Sequence, residues 1–180
     1  VDFHEQFINN PYYFAPGAEP FHEIITPWQR EFQSKIGKNN AKYFDENGWL
    51  FFTRESFDLL YPSYGDTYPL YMGAIGMTYE QGGIRAGLTV ITNDGDTLTL
   101  KDRIDHHFST SMATIETAAN YSDKLISEFK KYFEKNVSNP PGNYKTYVVK
   151  AQNIDRLQKM ATILKKNNIT FTFGGDKTLN

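Results

Sequence analysis

The chain contains no cysteine in its 180 residues. This absence excludes a disulfide framework, a thiolate metal site and a cysteine nucleophile. Long hydrophobic runs are missing too, so no membrane span is expected. The 19 basic residues do not outnumber the 21 acidic ones, and a net charge of −2 predicts no basic surface for nucleic acid. The motifs typical of phosphate cradles and of serine hydrolases, GxGxxG and GxSxG among them, are also absent.

Aromatic residues, in contrast, make up 16% of the chain. Such a content suits a large core, and it also suits a cleft that holds a ligand against ring faces. The length is sufficient for one domain, or for one domain and part of another.

Four short segments show the alternation or the apolar run of a strand, which predicts an α/β fold with a mixed sheet. They lie at 1–5, 49–53, 74–79 and 87–92. Because the chain opens inside such a segment, we expect it to be part of a longer polypeptide.

Two helices are predicted to flank this sheet. The first begins after Thr26 as its N-cap, is interrupted near Gly37 and ends at the turn 47–48. The second is one long amphipathic helix, which a capping box opens at Thr99 and which runs to about residue 134.

A Pro- and Gly-containing segment at 139–142 is the clearest boundary in the chain. Beyond it, predicted strands at 146–151 and 169–173 surround a helix capped by Asn153. A strand, a helix and a strand of this size indicate the start of a second, βαβ-type module. The predicted domains are therefore 1–138 and 144–180.

The stretch from Tyr61 to Gly83 contains the most specific candidate residue. It passes from turn residues and tyrosines into the apolar run 74–79, and it closes on Glu80 and two glycines. A carboxylate at the end of a buried strand is costly to desolvate, so it usually has a partner or a task.

His4 is the best candidate for a metal ligand among the four histidines, because it ends a predicted buried strand and neutral imidazole is a common ligand. His106 and His107 point about 100° apart on a helix, and we expect them on its solvated side. A zinc hydrolase needs three protein ligands and a nearby carboxylate base. No HxxE, HxxH or HxxEH pair occurs, so the chain contains at most one such ligand and one candidate base.

Two stretches resemble the zinc carboxypeptidases of the carboxypeptidase A type, above all large bacterial members in which a further α/β domain follows the catalytic domain. Residues 1–5, VDFHE, are similar to the family's strand that bears its third zinc ligand. Residues 64–83, with YGDTYP and GAIGMTYEQGG, are similar to the strand that bears its catalytic glutamate. The helix from about Asp102 is similar to the one that closes the catalytic domain. The resemblance covers roughly residues 1–135 and implies the C-terminal half of a zinc-carboxypeptidase-like fold.

This resemblance also implies roles for individual residues. His4 would be a zinc ligand, and Glu80 would be the general base that takes a proton from water and hands it to the leaving amine. Tyr61, or else Tyr64, would be the mobile tyrosine that closes over the C-terminal residue of a peptide substrate. Asp66 would line the specificity pocket. The resemblance implies zinc as the cofactor, and the usual location of the family's members implies a periplasmic or extracellular protein.

The family's other two zinc ligands and its substrate-binding arginines precede the histidine strand, and they are not among these 180 residues. We therefore expect the chain alone to bind no zinc tightly and to hydrolyse nothing without the missing N-terminal half. One alternative is a catalytically dead peptide- or glycan-binding module that uses the aromatic loop at 11–28. Another is a deacylase of the same fold acting on small N-acyl amino acids. The presence of both His4 and Glu80 favours the peptidase.

Overall fold

A computed structural model describes residues 1–83, 87–140, 143–144 and 146–174 of the chain. The chain divides into two compact units, Val1–Gly142 and Asn143–Asn180. The first unit is a mixed α/β structure, in agreement with the fold class predicted from the sequence.

Four strands of the first unit form one mixed sheet. They are β1 (Asp2–Gln6), β2 (Tyr12–Tyr13), β3 (Phe51–Phe52) and β4 (Thr78–Gly82). Their order is β1-β4-β2-β3, in which β1 is parallel to β4, β2 is antiparallel to β4, and β3 is parallel to β2. Among the described strands, β1 is therefore at the edge of the sheet. A separate antiparallel hairpin consists of β5 (Val90–Ile91) and β6 (Thr97–Leu98).

The helices of this unit are α1 (Pro27–Asn47), α2 (Thr67–Tyr71), α3 (Leu100–Asn120) and α4 (Ser122–Ser138). The predicted capping boxes are both present, with Thr26 capping α1 and Thr99 capping α3. The predicted interruption at Gly37 is wrong, because α1 continues through it. A Cβ atom at Gly37 would lie 2.2 Å from the carbonyl oxygen of Ala15. This glycine thus permits α1 to pack closely on the preceding segment.

The single long helix predicted after Thr99 is divided in two at Tyr121. Farther along α4, the hydroxyl of Tyr132 donates a hydrogen bond of 2.6 Å to the carbonyl of Tyr71 in α2. Because the helix breaks at Tyr121, α4 can lie where Tyr132 reaches α2. The apolar spacing in the sequence predicts one continuous helix, and tertiary packing divides it.

The inner side of α3 is the polar side, which overturns the prediction of a solvated histidine pair. His106 is only 9% exposed, and its ring centroid lies 4.6 Å from that of Trp49. Asn39 of α1 donates a hydrogen bond to the carbonyl of Ala113 on the same side. Hydrogen bonds to α1 and to the sheet therefore determine which side of α3 faces inwards. The apolar stripe faces outwards and contains Ile104, Phe108, Met112 and Ile115.

The main core lies between the sheet and α1. Its buried apolar members are Tyr12, Phe14, Ala15, Phe32, Ile36, Phe44, Met77 and Tyr79. Three consecutive aromatic residues of the predicted loop at 11–28, Tyr12 to Phe14, are at most 2% exposed. These rings stabilise the fold and cannot form a ligand-binding surface.

The second unit contains α5 (Ile154–Lys166), and Asn153 caps it as predicted by accepting a hydrogen bond from the amide of Arg156. The strands predicted at 146–151 and 169–173 are absent from the described residues. None of the described residues between 143 and 174 is buried, so the described part of this unit has no core against which two strands could be held. Parts of the predicted boundary and second module, namely residues 141–142, 145 and 175–180, lie outside the described residues. Across the described ranges, no helix has both the length and the apolar character to span a membrane.

Candidate functional site

His4 and Glu80 lie opposite each other in the sheet. The parallel register of β1 and β4 pairs the two residues directly, which places their side chains on the same face. The Nδ1 atom of His4 lies 3.4 Å from Oε2 of Glu80. The predicted proximity of these two residues is therefore confirmed.

Glu80 is a nearly buried carboxylate, with 5% of its surface exposed. It occupies the middle of β4, whereas the sequence predicted a strand that ends just before it. Its Oε2 atom has no hydrogen-bond partner among the described residues. Burial raises the pKa of Glu80 above its ordinary value, and the nearby charges of Asp2 and Asp66 act in the same direction against the opposing effect of His4. A raised pKa makes this carboxylate a stronger base.

His4 is exposed, which corrects the prediction that it ends a buried strand. Its side chain is 63% exposed because β1 is the edge of the sheet. Nδ1 lies 3.2 Å from the carbonyl oxygen of Glu5, which can only accept, so Nδ1 carries a proton in this arrangement. The hydrogen bond to Glu5 and the charge of Glu80 raise the pKa of His4. In the neutral imidazole, Nε2 then holds the lone pair that a metal ion would need.

The segment before α2 is held close to this pair by two glycines. A Cβ atom at Gly76 would lie 1.8 Å from the carbonyl oxygen of Asp66, and one at Gly65 would lie 3.2 Å from Oδ2 of Asp2. Asp66 is 7% exposed, and its Oδ1 accepts a hydrogen bond of 3.1 Å from the hydroxyl of Thr67. The carboxylate of Asp66 thus acts on Glu80 through its charge, from a buried position.

Tyr61 and Tyr64 are exposed side chains on the same segment. They are 60% and 61% exposed, and their rings meet edge to face with centroids 5.5 Å apart. Among the described residues, neither phenol forms a hydrogen bond with His4 or Glu80. Their exposure leaves both rings free to change rotamer.

Two residues of the site were missed by the sequence-based prediction. Asp2 raises the pKa of Glu80 and lies on the same face as His4. The two-residue period of a strand could have identified it. Tyr13 pairs with Glu80 from the other side, and burial raises the pKa of its phenol. No signal in the sequence distinguished Tyr13 from its aromatic neighbours.

The donor set among the described residues is too small for a zinc ion. Within the described part of the chain, no group of three or more His, Cys, Asp or Glu side chains could hold a metal ion. His4 is a single candidate ligand beside a candidate base, whereas a catalytic zinc site needs three protein ligands. The residues present therefore fit one side of such a site and not the whole of it.

Comparisons with protein-family models, with curated proteins and with solved structures found no match to this chain. A functional assignment therefore depends on the His4–Glu80 geometry and on the sequence resemblance.

Proposed function

We propose that this chain is the C-terminal half of the catalytic domain of a zinc-dependent metallocarboxypeptidase, which hydrolyses C-terminal peptide bonds. One observation supports this proposal above the others. A buried carboxylate and an exposed imidazole, distant in sequence, face each other in register at 3.4 Å. They are the two residues to which the resemblance gives the roles of base and metal ligand.

Glu80 would act as the general base and then as the general acid. Its carboxylate accepts a proton from the attacking water and later donates it to the leaving amine. Burial, which raises the pKa of Glu80, brings its basicity closer to that of a base operating near neutral pH. A zinc ion held in part by His4 would polarise the scissile carbonyl.

The remaining ligands and the substrate-binding arginines would come from the N-terminal half of the same catalytic domain. His4 supports this arrangement because an edge-strand imidazole that is 63% exposed can be reached by another segment. The substrate would be a peptide, and the full-length protein would be exported to the periplasm or the medium.

Tyr61, or Tyr64 in its place, would close over the C-terminal residue of the substrate. Their high exposure is consistent with a side chain that moves on binding. Asp66 would border the specificity pocket, and its buried carboxylate would also raise the pKa of Glu80.

The test is the activity of the full-length protein with Glu80→Gln. Loss of the base should lower kcat by a factor of about 10² to 10⁴, while KM changes little because the amide keeps the shape of the side chain. Glu55→Gln, on an exposed loop position, is the matched control and should retain full activity. Unchanged turnover of Glu80→Gln would refute the assigned role.

A second test uses the 180-residue chain itself. Because it offers His4 as a single ligand, titration with zinc should show no tight stoichiometric site. A tight 1:1 complex would contradict the proposal that the site is shared with another half.

The non-catalytic alternative is a peptide- or glycan-binding module that uses the loop at 11–28. Because Tyr12, Tyr13 and Phe14 are in the interior, such a module would have to bind through Phe21 and Trp28, which are half-buried. No observation favours the deacylase alternative over the peptidase.

A further inference from the structure

The carboxylate of Glu80 takes its position from the backbone of β4. No hydrogen bond from the described residues reaches its Oε2 atom, and this oxygen lies 3.4 Å from Nδ1 of His4. The side chain is therefore oriented by the main chain from which it projects and by the atoms packed around it. Whatever fixes the main chain of Glu80 also fixes the distance between the carboxylate and the imidazole.

The main chain of Glu80 faces the side of β4 that has the shorter ladder. In a parallel ladder, alternate residues direct their backbone groups to the same neighbour. The carbonyl of Met77 accepts a hydrogen bond from the amide of Asp2, so the odd-numbered residues of this segment bond to β1. The backbone groups of Glu80 are therefore directed to β2, where the ladder among the described residues consists of one pair, Tyr13 with Glu80.

Pro11 ends this ladder. It directly precedes β2, and proline has no amide hydrogen with which to bond β4. The turn before Pro11 nevertheless lies close to β4, because Gly82 has no side chain: a Cβ atom there would lie 2.8 Å from the carbonyl oxygen of Ile8. Since a carbonyl oxygen has two lone pairs, those of Glu80 and Pro11 can accept from a donor outside the two strands.

The side chain of Gln6, at the end of β1, supplies this donor. Its Nε2 atom donates hydrogen bonds of 2.7 Å to the carbonyl of Pro11 and of 3.1 Å to the carbonyl of Glu80. Its Oε1 atom accepts a hydrogen bond of 3.1 Å from Nδ2 of Asn10. Both carbonyls can only accept, which fixes the orientation of the amide group. Among the described residues, no other side chain forms a hydrogen bond with the main chain of Glu80.

We propose that Gln6 is a positioning residue for Glu80. Its carboxamide joins the end of β1, the start of β2 and the middle of β4, so it holds the backbone of Glu80 and thereby the carboxylate opposite His4. The catalytic consequence rests on the function proposed above, because a misplacement of about 1 Å at a catalytic group can lower the rate by about 10²-fold. The hydrogen bonds of Gln6 do not depend on that function.

Two variants separate positioning from a general loss of stability. Gln6→Met keeps the length of the side chain and removes its hydrogen bonds. Asn39→Leu is the matched control, because Asn39 is also half-buried and its Nδ2 atom also donates to a main-chain carbonyl, that of Ala113. Among the described residues, the hydrogen bonds of Asn39 join α1 to α3 and none reaches the sheet. Both variants should therefore lose stability, and only Gln6→Met should move Glu80.

The first measurement is nuclear Overhauser spectroscopy of the 180-residue chain, which needs neither zinc nor substrate. The wild type should give a cross-peak between the ring protons of His4 and the γ-protons of Glu80, since Nδ1 and Oε2 lie 3.4 Å apart. The cross-peak should be lost in Gln6→Met and remain in Asn39→Leu. Gln6→Asn, whose amide is one methylene too short to reach both carbonyls, should also lose it and replaces Gln6→Met if that variant does not fold. A wild-type spectrum without the cross-peak, or a Gln6→Met spectrum that retains it, would overturn the inference.

The second measurement is the activity of the full-length protein. Gln6→Met should lower kcat by a factor of about 10 to 100 and leave KM nearly unchanged, because the variant moves the base and not the groups that bind substrate. Asn39→Leu should retain both values. If Gln6→Met keeps its full kcat while Glu80→Gln is inactive, the peptidase stands and the inference fails. If the wild type hydrolyses no peptide and Gln6→Met has lost the cross-peak, the peptidase is refuted and the positioning of Glu80 by Gln6 is retained.

Discussion

Glu80 is buried at a cost to stability, which is common for residues that serve a function. One oxygen of its carboxylate has no hydrogen-bond partner in the described part of the chain, and burial raises the pKa of Glu80. As the pH rises above the ordinary pKa of a glutamate, the unfolded state ionises before the folded state does, which favours unfolding. This loss of stability is complete once the pH has passed the raised pKa of Glu80 in the folded state. We predict that Glu80→Gln increases the free energy of unfolding at pH 7 by about 1 kcal/mol.

Urea denaturation at pH 7 and at pH 4 measures this effect. The advantage of Glu80→Gln should shrink at pH 4, below the ordinary pKa of a glutamate, because the carboxylate is then mostly protonated in both states. Glu55→Gln, at an exposed position, should change the stability little at pH 7. A less stable Glu80→Gln protein at pH 7 would show that the contact with His4 outweighs desolvation.

His106 should make the fold sensitive to mild acid. Burial lowers the pKa of His106 to about 4, against the opposing effect of Asp102. Its Nδ1 lies 2.6 Å from Oε1 of Gln81, which holds the neutral ring in place. Because the unfolded state takes up a proton near pH 6.5 and the folded state does not, stability falls as the pH drops from about 6.5 to about 4, by roughly 3 kcal/mol in total.

At pH 7, His106→Asn should have a lower free energy of unfolding than the wild type. Because the variant lacks the buried imidazole, its free energy of unfolding should also change less over this pH range. His107, whose pKa burial also lowers, retains a smaller dependence. A pH profile that is identical for wild type and His106→Asn would contradict the prediction.

Helix α1 gives a prediction in which a substitution that normally stabilises a helix has the opposite effect. Replacing an exposed helical glycine by alanine gains up to about 1 kcal/mol. At Gly37 the new methyl group would lie 2.2 Å from the carbonyl oxygen of Ala15. We expect Gly37→Ala to lower the free energy of unfolding by about 1–3 kcal/mol, measured by urea denaturation. Lys38→Ala, at the adjacent exposed position, should change the free energy of unfolding little. If Gly37→Ala and Lys38→Ala had equal effects, the steric explanation would be excluded.

The elements that the sequence predicted correctly are those set by local interactions. Thr26 and Thr99 cap their helices through contacts within three residues, and α1 ends at the predicted turn. The register of β1 with β4, and so the meeting of His4 with Glu80, needed the resemblance, because pairing between distant strands has no local signal.

The orientation of α3 could not be predicted from its pattern of apolar residues. Hydrophobic spacing places Ile104 and Phe108 inside, but the hydrogen bonds of His106 and Thr110 to the sheet turn the other side inwards. An apolar stripe marks a face that must be covered, and it does not identify the partner that covers it. In this chain the sheet and α1 cover the polar side of α3, and the apolar side is exposed.

The whole chain has its core in one of its two units. Every residue that the structure buries lies between residues 12 and 132, and no described residue of the second unit is buried. Residues 143–180 therefore contribute no buried side chain among the residues that the structure describes. We predict that the shortened chain, residues 1–142, unfolds with a free energy within about 0.5 kcal/mol of the value for the full 180 residues.

Tryptophan fluorescence is the appropriate probe, because both tryptophans, Trp28 and Trp49, belong to the first unit. In urea, the fluorescence midpoint should be the same for the two chains, while the far-ultraviolet circular dichroism of the longer chain should contain the additional signal of α5. The matched variant is Tyr132→Phe in both chains. It removes the hydrogen bond to Tyr71 and should shift both midpoints equally, by an amount that corresponds to about 1 kcal/mol. A lower midpoint for residues 1–142 would mean that the second unit stabilises the first, and burial within the first unit would then not account for its stability.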